Sequence, residues 1–344
     1  MSIKKIILSI IAVALIIGAL VIYKFYGKIY NANVKENVAV YIPTNASFNQ
    51  VKEIIEPVVD NFDSFIWVAK KKNYPNVIKS GKYVLKAGMS NNALIDLLRS
   101  GKQTPLTLTF NNQDTLEKLA GRIANQLEPD SIQILTALTD QEFLTKNNLT
   151  KATVLGIFIP NSYEFYWNTS AERFRDRMLK EYDRFWNEDR VSKAKKLNLT
   201  KNDVITLASI VQKETSKVSE RPIVAGLYLN RLKDGWALQA DPTVIFSLKQ
   251  KHGQDYEVKR VLNADLLIDS PYNTYKYTGL PPAPIAMPDI SSIDAVLNYK
   301  KHEYYYMCAS TTDIGSHKFA RTLAQHNANA RIYQQWLNRQ GVNR

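Results

Sequence analysis

The chain has one cysteine, Cys308, so no disulfide can form within it. Its four histidines, His252, His302, His317 and His326, form no His-x-x-x-His pair, and Cys308 has no partner at zinc-ligand spacing. A bound metal is therefore not expected, nor is any other cofactor. The sequence also lacks a C-x-x-C pair, a phosphate-binding glycine loop and an RNA-binding aromatic signature. It has no internal repeat and no low-complexity stretch. Long uncharged apolar runs are absent with one exception: Ile6 to Tyr23, eighteen residues, near the minimum for a bilayer span. A signal peptide has a shorter apolar core followed by small residues at a cleavage site. Here Lys24-Phe-Tyr-Gly-Lys-Ile-Tyr follows instead, which predicts an uncleaved, single-pass anchor in the cytoplasmic membrane. Lys4 and Lys5 on one side are balanced by Lys24 and Lys28 on the other, so charge leaves the orientation open.

What is abundant is positive charge, a formal net of +13. Nucleic acid, anionic lipid or an anionic polymer would each fit such a balance. Without an accompanying motif, nucleic acid is not expected as a partner. The charge is dispersed as well. The densest runs, Lys70 to Lys72 and Lys193 with Lys195 and Lys196, read as solvated helix faces.

Pattern and punctuation predict an α+β protein in three parts: a short stub with a transmembrane signal-anchor over 1–30, the stub cytoplasmic only by the resemblance given below, a small α+β module over 31–105, and a larger α+β domain over 106–344. The module should contain strands at 38–41 and 83–85. It should also contain helices at 47–59, 62–72 and 91–99, the last opened by Ser90 and closed by Gly101. Beyond a strand at 106–110, helices are expected at 115–127, 132–138 and 142–144, then an aromatic turn at 156–167. A long charged helix should cover 171–196 and another 221–234. Asp241 reads as the N-cap of a helix with Pro242 at its first position. The stretch 270–285, rich in proline, tyrosine and amides, must be a loop of the kind that packs aromatic rings on sugar faces or on its own core. A final strand is expected at 304–308 and a closing helix at 321–337.

One helix stands out. Val204, Leu207, Ala208 and Val211 recur at helical spacing, with Thr200 placed to cap and Asp203 at the third position. Glu214 projects from the same apolar side. Spacing alone leaves two readings. A structural carboxylate at a fraying end would meet an arginine or water. A desolvated one would have a raised pKa and could act as a general acid near neutral pH.

The motifs around this helix decide the matter by resemblance. Ala208 to Thr215, Glu220-Arg221, Asn230-Arg231-Leu232 and Leu238 to Val244 follow one another. Then come Tyr272 to Tyr275, Gly279 to Pro282 with Ile285, and finally His317, Phe319 and His326-Asn327. In order and spacing they resemble the endolytic murein transglycosylase family (MltG, or YceG-like), over roughly residues 150 to 330. Residues 80–102 resemble the LysM-like segment that precedes the catalytic part in that family. The family's usual Glu-Lys-Glu is here Gln212-Lys213-Glu214, so the first acidic position is an amide and any proton carrier must be Glu214.

The resemblance implies a membrane-anchored lyase with its catalytic domain periplasmic or extracellular, acting on peptidoglycan glycan strands. It would cleave the β-1,4 bond between N-acetylmuramic acid and N-acetylglucosamine within nascent strands and leave 1,6-anhydro ends. That activity would terminate strand elongation, in company with peptidoglycan synthases of the elongation machinery. Because the attacking 6-hydroxyl belongs to the substrate, one carboxyl can serve as both acid and base, whereas ordinary glycosidases need two. Gln239, Asp241, Thr243, Tyr272, Asn273 and Thr274 would line the cleft. Gln212, Glu220 and His326 are left with structural or undecided roles; Glu220 is the second candidate carboxylate, but is expected rather to pair with Arg221 beside it. Two other classes stay open on sequence: a non-catalytic glycan-binding scaffold and a lysozyme-like hydrolase.

Overall fold

A computed structural model of the protein describes residues 3–339. The first two residues of the expected anchor segment and the last five of the expected 106–344 domain lie outside them. The fold is mixed α+β, and it divides into two compact units. The first holds the chain up to Leu108 together with Gln126–Pro129 and Tyr163–Ser170; the second holds Thr109–Asn125, Asp130–Ser162 and the chain from Ala171 on.

The first unit opens with α1 (Ile3–Tyr30), whose apolar side chains are exposed from Ile3 to Tyr23, while Phe25 and Ile29 near its end pack against the unit. It is the one described helix long and apolar enough to cross a membrane. Its 28 residues rise about 42 Å at ~1.5 Å each. Strand β1 (Val38–Ile42), helices α2 (Phe48–Ile55) and α3 (Phe62–Lys71), strand β2 (Gly81–Leu85) and helix α4 (Asn91–Ser100) follow. β1 and β2 pair antiparallel with Val38 opposite Leu85 and Ile42 opposite Gly81. Alternation along β2 turns Tyr83 and Leu85 into a core shared with Ile42, Val51, Ile55, Phe65, Leu94 and Leu98. Ser47 and Ser90 cap α2 and α4, and Gly101 closes α4 in the left-handed conformation.

Strand β3 (Leu106–Phe110) leads to α5 (Leu116–Ala124), α6 (Ser131–Leu138), α7 (Gln141–Lys146) and strand β4 (Asn161–Phe165), which pairs with β3. Part of the stretch expected as an aromatic turn is thus a strand. The long helix expected over 171–196 is two helices, α8 (Ala171–Phe185) and α9 (Glu188–Lys196). Trp186 is buried at the break, and Asn187 accepts the Arg190 N–H to start the second helix.

Helix α10 (Lys201–Glu214) is the axis of the second unit. Thr200 and Asp203 form the expected capping box. The helix is more enclosed than a one-sided apolar stripe implies: every residue from Val204 to Val211 is buried. Helices α11 (Arg221–Lys233), α12 (Asp241–His252) and α13 (Ile290–Leu297) pack on it, as does α9. Val204, Leu207, Val211, Val224, Leu227, Ile285, Ile293 and Val296 form the core between them. The stretch expected as a final strand becomes β5 (Tyr306–Ala309), the first half of a hairpin. It pairs antiparallel with β6 (His317–Ala320), Ala309 opposite His317, and Gly315 takes a positive φ in the turn. Helix α14 (Leu323–Arg339) covers the hairpin.

Candidate active site

Glu214 is the last residue of α10, where the core helix reaches a cavity of about 210 Å³. Leu227, Tyr228 and Arg231 of α11, Gln239, Asp241, Tyr275, Met307 to Ala309 of β5, and His317 complete the lining. A larger depression in the same unit, about 560 Å³, lies around Thr200, Lys201, Asn147 and Tyr182 at the opposite end of α10. Its lining includes Asp183 and Lys201 but no glutamate, histidine or arginine; the smaller cavity is the one that holds Glu214.

The Tyr228 hydroxyl, itself buried, donates to Glu214 Oε1 at 2.6 Å. Among the described residues nothing hydrogen-bonds Oε2. Burial pushes the Glu214 carboxyl up to about 7, and the nearby Asp241 charge adds to this. The Tyr228 hydrogen bond, His317 and Arg231 pull the other way without cancelling it. Glu214 keeps partial exposure on the cavity side while protein atoms crowd its carboxyl elsewhere. The shift brings the group's titration from the usual carboxylate range to about neutral pH.

Arg231 is buried and structural in part. Its Nε donates to the Tyr305 carbonyl and its terminal nitrogen to the Leu238 carbonyl, which ties α11 to the strand entry and to the turn before α12. Burial lowers its pKa. That turn presents Gln239, exposed and in the left-handed region at φ 50°. For a residue with a Cβ this is a strained position, held by its neighbours. The Gln239 N–H donates to the Thr274 carbonyl at 3.0 Å, and the Ala240 N–H to Thr274 Oγ1 at 3.0 Å.

The residues expected to line the cleft divide accordingly. Gln239 and Asp241 reach the cavity. Thr243, Tyr272, Asn273 and Thr274 are buried behind it. Thr243 and Thr274 meet hydroxyl to hydroxyl at 2.9 Å and brace the turn. Asn273 donates to the carbonyls of Leu266 and Ile268 and accepts the Tyr275 N–H, so it shapes the loop. Tyr272 packs its ring on Phe246 at 4.7 Å. Asp241 is not the N-cap of α12: Ala240 holds that position, and Asp241, at the first helical position, accepts from the Tyr275 hydroxyl at 2.6 Å. A carboxylate there also favours the helix N-terminus.

Glu220 does not pair with Arg221. The Arg221 guanidinium turns to Asp289 at 2.8 Å, and Glu220 holds His317 by the backbone N–H and by ring Nδ1, each at 2.7 Å. Gln212 clamps α10 to the segment before α13: Nε2 donates to the Met287 carbonyl, and Oε1 accepts the Asp289 N–H at 2.6 Å. His326 stacks on Tyr306 with its Nδ1 buried and unpartnered among the described residues, and burial lowers its pKa.

Sequence reasoning missed Tyr228 and Tyr275 as partners of the two cavity carboxylates. Tyr228 does carry a signal, since it lies seven residues after Arg221 on the next predicted helix and so two turns along one face. Nothing local links it to Glu214.

The chain matches the YceG-like family over residues 40–332. It is 32% identical over 311 residues to the endolytic murein transglycosylase of Bacillus subtilis strain 168, covering 85% of this chain and 84% of that protein. It is 30% identical over 328 residues to the endolytic murein transglycosylase of Streptococcus pneumoniae strain D39, covering 87% of this chain and 59% of that protein. Among solved structures, a yceG-like protein from Listeria monocytogenes matches with a TM-score of 0.55 at 30% identity, over 86% of this chain and 99% of that one.

Proposed function

The chain belongs to the YceG-like family, and on that premise we propose that it is a peptidoglycan lytic transglycosylase whose proton carrier is Glu214. The single observation that carries the assignment is a carboxyl pushed up to about 7 at the mouth of a cavity, with one oxygen held by Tyr228. A carboxyl raised toward neutral pH can give a proton and take one back under working conditions, which a double role demands.

In the acid form Glu214 protonates the oxygen leaving the anomeric carbon of the muramyl residue. The carboxylate left behind recovers a proton as the muramyl 6-hydroxyl closes on that carbon. No water enters the products, so an anhydro end replaces a reducing end. Gln239, Asp241 and Tyr275 form the polar wall that orients the glycan, and Tyr228 keeps the carboxyl aimed. The buried threonines and Asn273 act through the turn and loop they hold.

Helix α1 fits a single-pass anchor by length and apolar exposure. We take the catalytic unit to lie outside the cytoplasm, where it would cut nascent strands and so end their elongation. The LysM-like character of the first unit is part of this proposal, supported by its β1-α2-α3-β2 order.

Incubating purified protein with sacculi and analysing the muropeptides by mass spectrometry tests the reading. Products should end in 1,6-anhydro-N-acetylmuramic acid. Reducing ends would make the protein a hydrolase, and intact strands would make it a scaffold.

A further inference from the structure

Tyr228 holds Glu214 Oε1, so Oε2 is the oxygen with no hydrogen bond among the described residues, and two substrate oxygens call on it in turn. After the glycosidic bond breaks, the new hydroxyl of the released sugar still faces the carboxylate that protonated it. The attacking 6-hydroxyl must lose its proton in the same interval. A second acceptor in the cavity would remove this conflict, and His317 is placed to be one.

His317 opens β6 and lines the cavity together with Glu214, Arg231, Asp241, Tyr228, Tyr275 and Cys308. Behind it stands Glu220, 8% exposed. One Glu220 oxygen accepts the His317 backbone N–H and the other meets ring Nδ1. The backbone bond alone would tie β6 to the start of α11. The second bond does something more: as a carboxylate Glu220 can only accept, so the ring proton sits on Nδ1 and Nε2 is left with its lone pair. Among the described residues no group hydrogen-bonds Nε2. The neighbouring Arg221 is committed to Asp289, so the ion pair open to the buried Glu220 carboxylate is an imidazolium at His317.

We propose that His317, oriented by Glu220, relays the proton of the attacking hydroxyl back to Glu214. The proposal rests on the transglycosylase reading above. The bond from the anomeric carbon to the leaving oxygen breaks as that oxygen takes the Glu214 proton. The bond from O6 to the anomeric carbon forms as the O6 proton passes to His317 Nε2. The imidazolium, stabilised by Glu220, then hands this proton to the Glu214 carboxylate. Both groups return to their starting forms, with no water consumed. Glu220 is a positioning residue in this scheme.

Two variants of the full-length protein test it, with uncross-linked peptidoglycan strands as substrate and anhydro ends as the readout. His317→Ala should lose about 100-fold in kcat, the scale of a general base, with KM nearly unchanged, and added imidazole should restore part of the rate. Glu220→Gln is the sharper test. The backbone N–H must be met by the amide oxygen, so the amide NH2 faces Nδ1 and forces the ring proton onto Nε2. The fold is kept and the acceptor is lost. Its kcat should fall at least about tenfold with an unchanged thermal midpoint. Wild-type kcat in Glu220→Gln, or a His317→Ala loss that tracks a lowered thermal midpoint and ignores imidazole, would overturn the relay. Activity in Glu214→Gln would instead remove the reading on which the relay rests.

Discussion

Glu214 concentrates the argument at the scale of a single residue. Its carboxyl is raised to about 7 from an ordinary 4.5, chiefly by burial. The stability associated with this shift is fully present below pH 4.5 and is lost as pH climbs through about 7. Over that window the folded protein must hold an anion in a poorly solvated site, while the unfolded chain ionises freely. Glu214→Gln removes the penalty. It should therefore stabilise the protein at pH 8, by up to about 3 kcal/mol, with the gain vanishing near pH 4. Chemical denaturation at the two pH values measures this, and equal midpoints for both proteins at pH 8 would show that the site is well solvated. In the wild type, kcat/KM should fall above pH ~7 as the acid form is titrated away. Glu214 was legible in the sequence because apolar spacing carries through to it. Its hydrogen-bond partner Tyr228 was not, nor was its grouping with Tyr275 and His317 around one cavity, because these arrive from separate elements and only the fold brings them together.

At the scale of elements, local rules did well where local bonds decide. Thr200 and Ser90 cap the helices they were expected to cap. They did worse where burial decides. Trp186 divides what looked like one helix. Thr243, Asn273 and Thr274, expected in the cleft from the resemblance, are buried and hydrogen-bond the backbone of the turn and loop beside it. Gln212 is such a residue too. Gln212→Ala would leave the half-buried N–H of Asp289 and carbonyl of Met287 without these bonds and should cost about 1–2 kcal/mol, with the activity per folded molecule only modestly reduced. An active-site loss as deep as that of Glu214→Gln, in a protein of unchanged stability, would give Gln212 a chemical role instead. Gly226 sits within α11, two residues before Tyr228, and a Cβ there would come within 2.5 Å of the Lys300 carbonyl oxygen. Gly226→Ala should push the helix off that strand entry, destabilise by about 1–3 kcal/mol and weaken activity through Tyr228. A thermal melt with wild-type midpoint would show that the helix has room.

At the scale of the whole molecule, the α+β class and the isolated apolar helix were readable from composition and run length. The return of residues 126–129 and 163–170 to the first unit was not, since no linker composition marks it. The anchor proposal predicts an active alkaline phosphatase and a dark green fluorescent protein when each is fused to the C-terminus, and the reverse pattern would put the catalytic unit in the cytoplasm, away from mature glycan. The most direct test of the account sets anhydro product against one carboxyl. Wild type and Glu214→Gln, matched for fold by circular dichroism, would be incubated with the same sacculi and their muropeptides compared by mass spectrometry. Anhydro-muramyl ends should accumulate with the wild type and fall by at least ~10³-fold with the variant, the scale of a lost general acid. Comparable anhydro ends from both proteins would contradict it.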